Sequence, residues 1–223
     1  MAAAAYVSMG LMTDSMDAVP SPENHLRAAI ASGDPAVAMP ALASLRQLGA
    51  EAAVPLLLLG LEQRPFIVRS LACAGLGVKR NEAGWQALVR VLHHDDDANV
   101  RAEAANALAF YGVERSWPLL IQAFRREEGW LVRCSILSAL AELPEMPPEW
   151  LLELALQAAG DRDGTVRIGG AEILGRLVRE GGEAATALSA RQSLQTLQRD
   201  PDHRVVAAAL NGLQSETLGA SEG

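Results

Sequence analysis

An internal repeat with a period near 32 residues is the feature that most limits how this 223-residue chain can fold. Six segments align on a valine, and a leucine stands eight residues after each valine. Successive valines are 31, 32, 32, 34 and 39 residues apart. The aligned pairs are Val37/Leu45, Val68/Leu76, Val100/Leu108, Val132/Leu140, Val166/Leu174 and Val205/Leu213. A period of this length is typical of repeat proteins, in which each small unit buries its apolar face only against its neighbours.

Each unit is predicted to be a pair of antiparallel helices. An aspartate three residues before the valine can cap the first helix, as at Asp34, Asp97, Asp163 and Asp202. The second helix carries aliphatic or aromatic pairs at i, i+4 spacing. These pairs are Leu57/Leu61, Leu88/Leu92, Leu120/Phe124 and Leu152/Leu156.

The predicted fold class is therefore all-α, an α-α superhelix of about six two-helix repeats. We expect a single solenoid over residues 21–214, opened by a helix from Pro22 to Ser32 that Ser21 caps. Residues 1–20 are predicted to be a disordered leader, and the small, polar residues 215–223 a disordered tail. The long spacing before Val205 predicts an insertion near residues 181–185.

Charge and hydropathy exclude several classes of partner. The net charge is −8, Lys79 is the single lysine, and the arginines are scattered, so a nucleic-acid-binding surface is not expected. No run of about 18 apolar residues occurs, so membrane insertion is not expected. Cys73 and Cys134 are 61 residues apart with no CxxC motif, which favours a reducing, cytoplasmic location.

The third unit, DDDANVRAEAANALAFYG at residues 95–112, resembles the HEAT-like repeats named after phycobilisome lyases. The segment DRDGTVRIGGAEILGRL at residues 161–177 is close to the same pattern. The resemblance covers roughly Pro22 to Gln214 and implies a protein-binding role. The class includes cyanobacterial E/F-type phycobilin lyases, phycobilisome-degradation proteins, a HEAT protein that partners an iron–sulfur scaffold, deoxyhypusine hydroxylase and plain adaptors.

The resemblance leaves three functions open. The first is a non-catalytic scaffold or adaptor for protein partners in a phycobilisome-related setting in cyanobacteria. The second is a subunit of an E/F-type bilin lyase, with a phycobiliprotein subunit and a second HEAT-repeat subunit as partners and a bilin as the bound group. The third is a partner of an iron–sulfur assembly scaffold. Deoxyhypusine hydroxylase activity is excluded, because that enzyme ligates iron through His-Glu pairs and this chain has no His-Glu dipeptide.

One column of arginines follows the repeat. Its members are Arg69, Arg101, Arg133 and Arg167, each directly after its valine. A column of this kind can clamp an anion, or it can form a structural ladder in which each arginine bonds carboxylates or carbonyls of a neighbouring turn. Because the arginines keep the repeat period, we interpret them as a ladder.

Metal and catalytic sites are not expected. The run from His93 to Asp97 contains metal-ligating side chains, but adjacent residues usually diverge in space. Cys134 directly follows the arginine column and is the more accessible candidate thiol, whereas Cys73 aligns with core positions. No nucleophile–base pair, glycine-rich phosphate loop or carboxylate dyad is evident, so no catalytic residue is assigned.

Two groups of residues are candidates for partner binding. Phe66 and Trp130 are rare aromatics at equivalent turn positions, and aromatic side chains are enriched at binding hot spots. The second group consists of polar positions on the face that solenoids present to extended partners. Its members are Glu103, Asn106, Glu142 and Glu172, with Cys134 as a further candidate.

Overall fold

The computed structural model describes residues 21–181 and 184–214, in which twelve α-helices and one short 3₁₀ helix, Leu45–Gln47, occur. The helices alternate between an outer and an inner row. The outer helices are α1 (Pro22–Ala31), α3 (Ala50–Leu61), α5 (Glu82–His94), α7 (Val113–Arg126), α9 (Pro148–Ala159) and α11 (Ala185–Leu197). The inner helices are α2 (Pro35–Ser44), α4 (Phe66–Lys79), α6 (Ala98–Ala109), α8 (Trp130–Ala141), α10 (Gly164–Gly181) and α12 (His203–Gln214).

This arrangement confirms the predicted all-α solenoid. Each outer helix after the first packs on the inner helices before and after it, so the units share one continuous core. The described helices run from Pro22 to Gln214 in a single stack. The leader predicted at residues 1–20 and the tail predicted at residues 215–223 lie outside the described residues.

The predicted helix caps are present. The four capping aspartates each accept a hydrogen bond from the backbone N–H two residues later, at 2.8–2.9 Å. These aspartates are Asp34, Asp97, Asp163 and Asp202. At the start of α1, the Ser21 hydroxyl accepts from the Asn24 N–H at 3.3 Å. Each cap satisfies a backbone donor that a helix leaves free at its first turn.

Small residues bring the inner helices close together. A Cβ atom placed on Gly77 of α4 would lie 2.9 Å from the Cα of Ala107 in α6. A Cβ on Gly175 of α10 would lie 2.8 Å from the Cα of Gly212 in α12. Successive inner helices pack extensively on one another, whereas outer helices meet far less. The stack therefore curves with the inner row on its concave side.

Aromatic contacts join outer helices to other units. The rings of Trp117 in α7 and Trp150 in α9 stack with centroids 5.2 Å apart. Trp85 in α5 packs edge-on against Tyr111, and the Arg115 guanidinium lies 4.1 Å from the Trp85 ring centroid. These larger side chains fill the wider spaces between outer helices, which is why Trp85 and Trp117 are buried.

Two details differ from the repeat alignment. In the first unit Val37 is exposed and Ala38 is buried. Because α2 is apolar around most of its circumference, the period of its sequence does not show which of the two residues is buried. In α9 Leu156 is exposed, so the predicted Leu152/Leu156 pair is wrong. The buried side of α9 is formed by Leu151, Leu154, Ala155 and Ala158 instead.

The extra length before the last unit lies partly in helix. The inner helix α10 has 18 residues, whereas α8 has 12. The helical pattern continues past Leu174 with the buried residues Leu177 and Val178. Part of the sequence predicted as an insertion near residues 181–185 is thus the end of α10 and the start of α11.

The arginine column links the turns of successive units. The Arg69 guanidinium donates through Nη1 to the backbone carbonyls of Gln63 and Arg64, at 3.1 and 2.6 Å, in the turn before its own helix. Through Nε and Nη2 it donates to both carboxylate oxygens of Asp95, at 2.8 and 2.9 Å, in the turn of the next unit. One partly buried guanidinium therefore holds two consecutive turns, with a bidentate, charge-assisted bond to the second.

The same geometry recurs in the next three units. Each arginine bonds two carbonyls of its own turn and a carboxylate 26 to 33 residues later. The remaining pairs are Arg101/Glu127, Arg133/Asp161 and Arg167/Asp200. Arg133 is only 4% exposed, so this ion pair is almost completely shielded from water.

The carboxylates of the ladder also order the turns in which they lie. Asp95, Glu127, Asp161 and Asp200 each accept the backbone N–H two residues later, at 2.7–2.9 Å. The side-chain hydrogen bond from Arg167, helped by this backbone bond, lowers the pKa of Asp200. Partial burial opposes ionisation of Glu127, but the bonds from Arg101 and the Gly129 N–H outweigh it and lower the pKa of Glu127.

Both members of a pair are replaced at the N-terminal end of the ladder. Ala38 occupies the arginine position of the first unit, and Gln63 occupies the carboxylate position of the second. The Gln63 amide donates instead to the Leu59 carbonyl at 2.9 Å. A carboxylate without its arginine would be left partly buried and uncompensated, and the chain avoids this with a neutral residue.

Replacement of Gly170 by alanine should destabilise the stack. A Cβ there would lie 2.7 Å from the Ala159 backbone nitrogen, and backbone atoms cannot move aside cheaply. Overpacking should outweigh the gain in helix propensity and lower the free energy of unfolding by about 1–2 kcal/mol in urea denaturation. Gly160→Ala is the control, because a Cβ there meets only ordinary contacts at 3.7 Å or more. Equal stability of the two variants would contradict the close packing.

Arg101→Ala should lower the free energy of unfolding by about 1–3 kcal/mol, because Glu127 and two turn carbonyls lose their donor. Arg125→Ala serves as the matched control. Arg125 pairs with Glu153 on the outer row, where both side chains are about half exposed, and its loss should cost less than about 1 kcal/mol. Urea denaturation monitored by far-UV circular dichroism measures both. If Arg101→Ala keeps full stability but loses partner binding, the column serves binding.

Candidate functional site

The inner row presents the side chains that are available to a partner. Positions such as Glu103 and Asn106 of α6, Ser138 of α8 and Glu172 of α10 lie on the solvent side of their helices. The arginines of the ladder do not contribute to this surface. Their Nε, Nη1 and Nη2 atoms already donate to protein oxygens, which leaves little capacity for an anion.

Phe66 and Trp130 lie at the first residues of α4 and α8. Phe66 is 44% exposed and Trp130 is 48% exposed, which is unusual for side chains of this size. Helix α6 lies between their two helices in the inner row, so the two aromatics mark the same edge of the stack in alternate units. Ile67, also exposed, adds to this apolar edge beside Phe66.

Three of the sequence candidates meet in one groove. Glu103 and Asn106 line it from α6, and Glu142 lines it from the residue directly after α8. The groove has a volume of about 550 Å³ and opens on the concave side. We call it the α6–α8 groove, and Ser138 and Phe110 complete its lining together with the turn that follows α8.

The apolar part of the α6–α8 groove was not anticipated from the sequence. Phe110 is 61% exposed at the end of α6, and Leu143 and Pro144 come from the turn of the next unit. Phe110 is followed by Tyr111, whose hydroxyl donates to the Leu76 carbonyl at 3.1 Å. The sequence signal was an aromatic pair before Gly112, of which Tyr111 packs inward and Phe110 faces solvent.

Glu172 lies apart from this groove. It lines a second hollow of about 500 Å³ between α10 and α12, together with Ile168 and Asn211. Arg179 and Arg204 line the same hollow, so both signs of charge are present there. The structure therefore divides the candidate residues into an aromatic edge, the α6–α8 groove and a mixed-charge hollow.

Neither cysteine has the environment of a reactive thiol. Partial burial, reinforced by the nearby Asp163 carboxylate, raises the pKa of Cys134. Cys73 is fully buried, and desolvation raises the pKa of its thiol far above the ordinary value. A thiolate is the nucleophile and the metal ligand, so both residues are held in the inert form at neutral pH.

Residues 21–181 and 184–214 contain neither a cluster of metal ligands nor a membrane-spanning helix. Within these residues no three histidine, cysteine, aspartate or glutamate side chains are grouped so that they could hold a metal ion. His93 and His94 are exposed at the end of α5, while Asp95 and Asp97 are engaged in the turn. No helix in this part of the chain is long and apolar enough to cross a membrane.

The sequence matches the family model for HEAT repeats over residues 55–141. This segment runs from within α3 to the end of α8 and includes both the aromatic edge and most of the α6–α8 groove. A comparison with curated proteins returns no match.

Three solved structures are similar to this chain over most of its length. A crystal structure of an engineered protein is 19% identical, with a TM-score of 0.50 over 88% of this chain and 96% of that one. The two-subunit phycocyanin lyase complex from Nostoc is 20% identical, with a TM-score of 0.39 over 86% and 97%. Human deoxyhypusine hydroxylase with glycerol is 14% identical, with a TM-score of 0.45 over 86% and 94%. The described helices thus form an α-α solenoid, and its residues 55–141 match HEAT repeats.

Proposed function

We propose that this protein is a non-catalytic scaffold that holds a protein partner against its inner row. The observation that carries this proposal is the distribution of exposed apolar side chains. The described residues include nine large, strongly exposed hydrophobic side chains, and two of them, Leu156 and Leu188, lie on outer helices. The other seven lie on inner helices or directly after one.

Such a concentration on one row of helices is costly unless this row is covered by a partner. Exposed apolar patches on a monomer commonly mark interaction sites, and aromatic residues dominate binding energies. Phe66, Trp130 and Phe110 supply the aromatic anchors, and the polar positions between them supply hydrogen-bonding groups. A concave face of this kind suits an extended or helical partner segment.

The proposal predicts that Phe66→Ala/Trp130→Ala loses the partner while retaining the fold. Affinity capture from the source organism should recover the partner with the wild-type protein. The amount recovered with this double variant should be at least about tenfold smaller. Leu156→Ala/Leu188→Ala is the matched control, because it removes two equally exposed side chains from the outer row. Equal recovery by all three proteins would contradict binding at the inner row, and thermal melts check that each protein is folded.

For the cellular setting, we propose a phycobilisome-related role in a cyanobacterium. The support is the repeat motif of residues 95–112, which resembles the lyase-related repeat class. The finer alternative is a subunit of an E/F-type bilin lyase that acts with a second HEAT-repeat subunit. The iron–sulfur alternative gains no support from Cys134, whose raised pKa disfavours the thiolate that a cluster requires.

Co-expression with a phycobiliprotein subunit and a bilin tests the lyase alternative. If the protein is a lyase subunit, adding it with a candidate second HEAT-repeat subunit should increase covalent bilin on the phycobiliprotein, seen as zinc-enhanced fluorescence on a denaturing gel. The control omits only this protein. Unchanged bilin attachment and exchange would exclude the lyase alternative and leave the scaffold proposal standing.

A further inference from the structure

We propose that the α6–α8 groove binds a basic segment of a protein partner, with one apolar side chain of that segment seated against Phe110 and its lysines or arginines facing Glu103 and Glu142. This inference rests on the proposed scaffold function and names the chemistry of the partner. The groove has an apolar part and an electrostatic part.

The apolar part comes from three side chains of two units. Phe110 extends from the end of α6 and is 61% exposed, while Leu143 and Pro144 face it from the turn after α8. The groove volume of about 550 Å³ is large enough for one or two side chains of a bound segment. Ala109 and Ala139 line the groove with short side chains, which leaves the aromatic ring of Phe110 accessible.

The electrostatic part comes from two carboxylates that have no ion-pair partner among residues 21–181 and 184–214. Across the described residues, Glu103 and Glu142 form no ion pair and their side chains accept no hydrogen bond. None of the described residues that line the groove is a lysine or an arginine. Glu145, exposed in the same turn as Glu142, adds a further negative charge near the opening.

Arg176, the arginine in the hollow next to Glu142, has its close contacts with other residues. Arg176 of α10 lines the adjoining hollow that Glu142 also borders. Its Nη1 atom donates to the Ala141 carbonyl at 2.7 Å, and its Nε lies 3.9 Å from a Glu180 carboxylate oxygen. Arg176 therefore makes its close polar contacts with Ala141 and Glu180, and none with the Glu142 carboxylate.

Charge complementarity identifies the occupant. A groove that combines an exposed aromatic ring with unpaired carboxylates favours a segment that combines an apolar side chain with cations. The hollow around Glu172 does not share this property, because Arg179 and Arg204 line it as well. The basic segment is thus assigned to the α6–α8 groove and not to the whole concave face.

Two fluorescein-labelled peptides test the groove directly. One has a central Leu-Phe pair flanked by lysines, and the other has the same pair flanked by glutamates. Fluorescence anisotropy at low ionic strength should show at least about tenfold tighter binding of the lysine peptide, and added salt should reduce this preference. Equal affinity for the two peptides, or a preference for the glutamate peptide, would overturn the proposal.

Variants locate the binding. Glu103→Gln/Glu142→Gln should remove most of the preference for the lysine peptide, and Glu103→Lys/Glu142→Lys should reverse it. Phe110→Ala should weaken both peptides, because the apolar anchor is shared. Glu172→Gln is the control, since it removes a carboxylate from the inner row outside the groove. An equal effect of Glu172→Gln would show that the net charge, and not the groove, attracts the peptide, and would overturn the assignment.

The native partner separates this inference from the scaffold function. If Phe66→Ala/Trp130→Ala loses the captured partner but Glu103→Gln/Glu142→Gln retains it fully, the scaffold function stands and the groove proposal fails. If the lysine peptide binds the groove as described but no partner is lost on altering the aromatic edge, the groove stands and the scaffold function at that edge fails.

Discussion

A largely shielded guanidinium that bonds two successive turns is the interaction on which the stack depends. Each repeat has a thin apolar layer. Packing of the helices alone does not fix the conformation of the turns at one end of this layer. Arg69, Arg101, Arg133 and Arg167 supply that order by bonding carbonyls of one turn and a carboxylate of the next. Each carboxylate in turn accepts a backbone N–H beside a helix start. Unit-to-unit registry is therefore set by directional bonds as well as by apolar burial.

The ladder also explains why the side chains of the concave surface are available for binding. Since the ladder arginines hold successive units together at the turns, the side chains along the concave face are not needed for this purpose. Phe110, Glu103 and Glu142 can therefore differ in type from their counterparts in other units without disturbing the stack. This separation lets one repeated scaffold carry a groove that occurs between one particular pair of helices.

Much of the fold could be predicted from the sequence, because it follows from local chemistry repeated at a fixed period. The aspartate caps and the helix pairs depend on neighbours a few residues away, and the structure contains both. The individual carboxylate partners of the arginines could not be identified from the sequence, since they lie in the next unit and are aspartate in three pairs and Glu127 in the fourth. The α6–α8 groove could not be predicted for the same reason, since Phe110 and Leu143 belong to different units and come together only in the folded stack. In α2 the sequence is too uniformly apolar to predict that Ala38 is buried and Val37 is exposed.

The placement of the four tryptophans has a spectroscopic consequence. Trp85, Trp117 and Trp150 belong to the outer row and contact other aromatic rings or a guanidinium, whereas Trp130 stands exposed at the edge of the inner row. Trp130 therefore contributes most of the emission that a soluble quencher such as iodide can reach. The intrinsic fluorescence of the chain consists of one population sensitive to events on the concave side and another that reports the integrity of the stack. A ligand that covers Trp130 would change the first without altering the second.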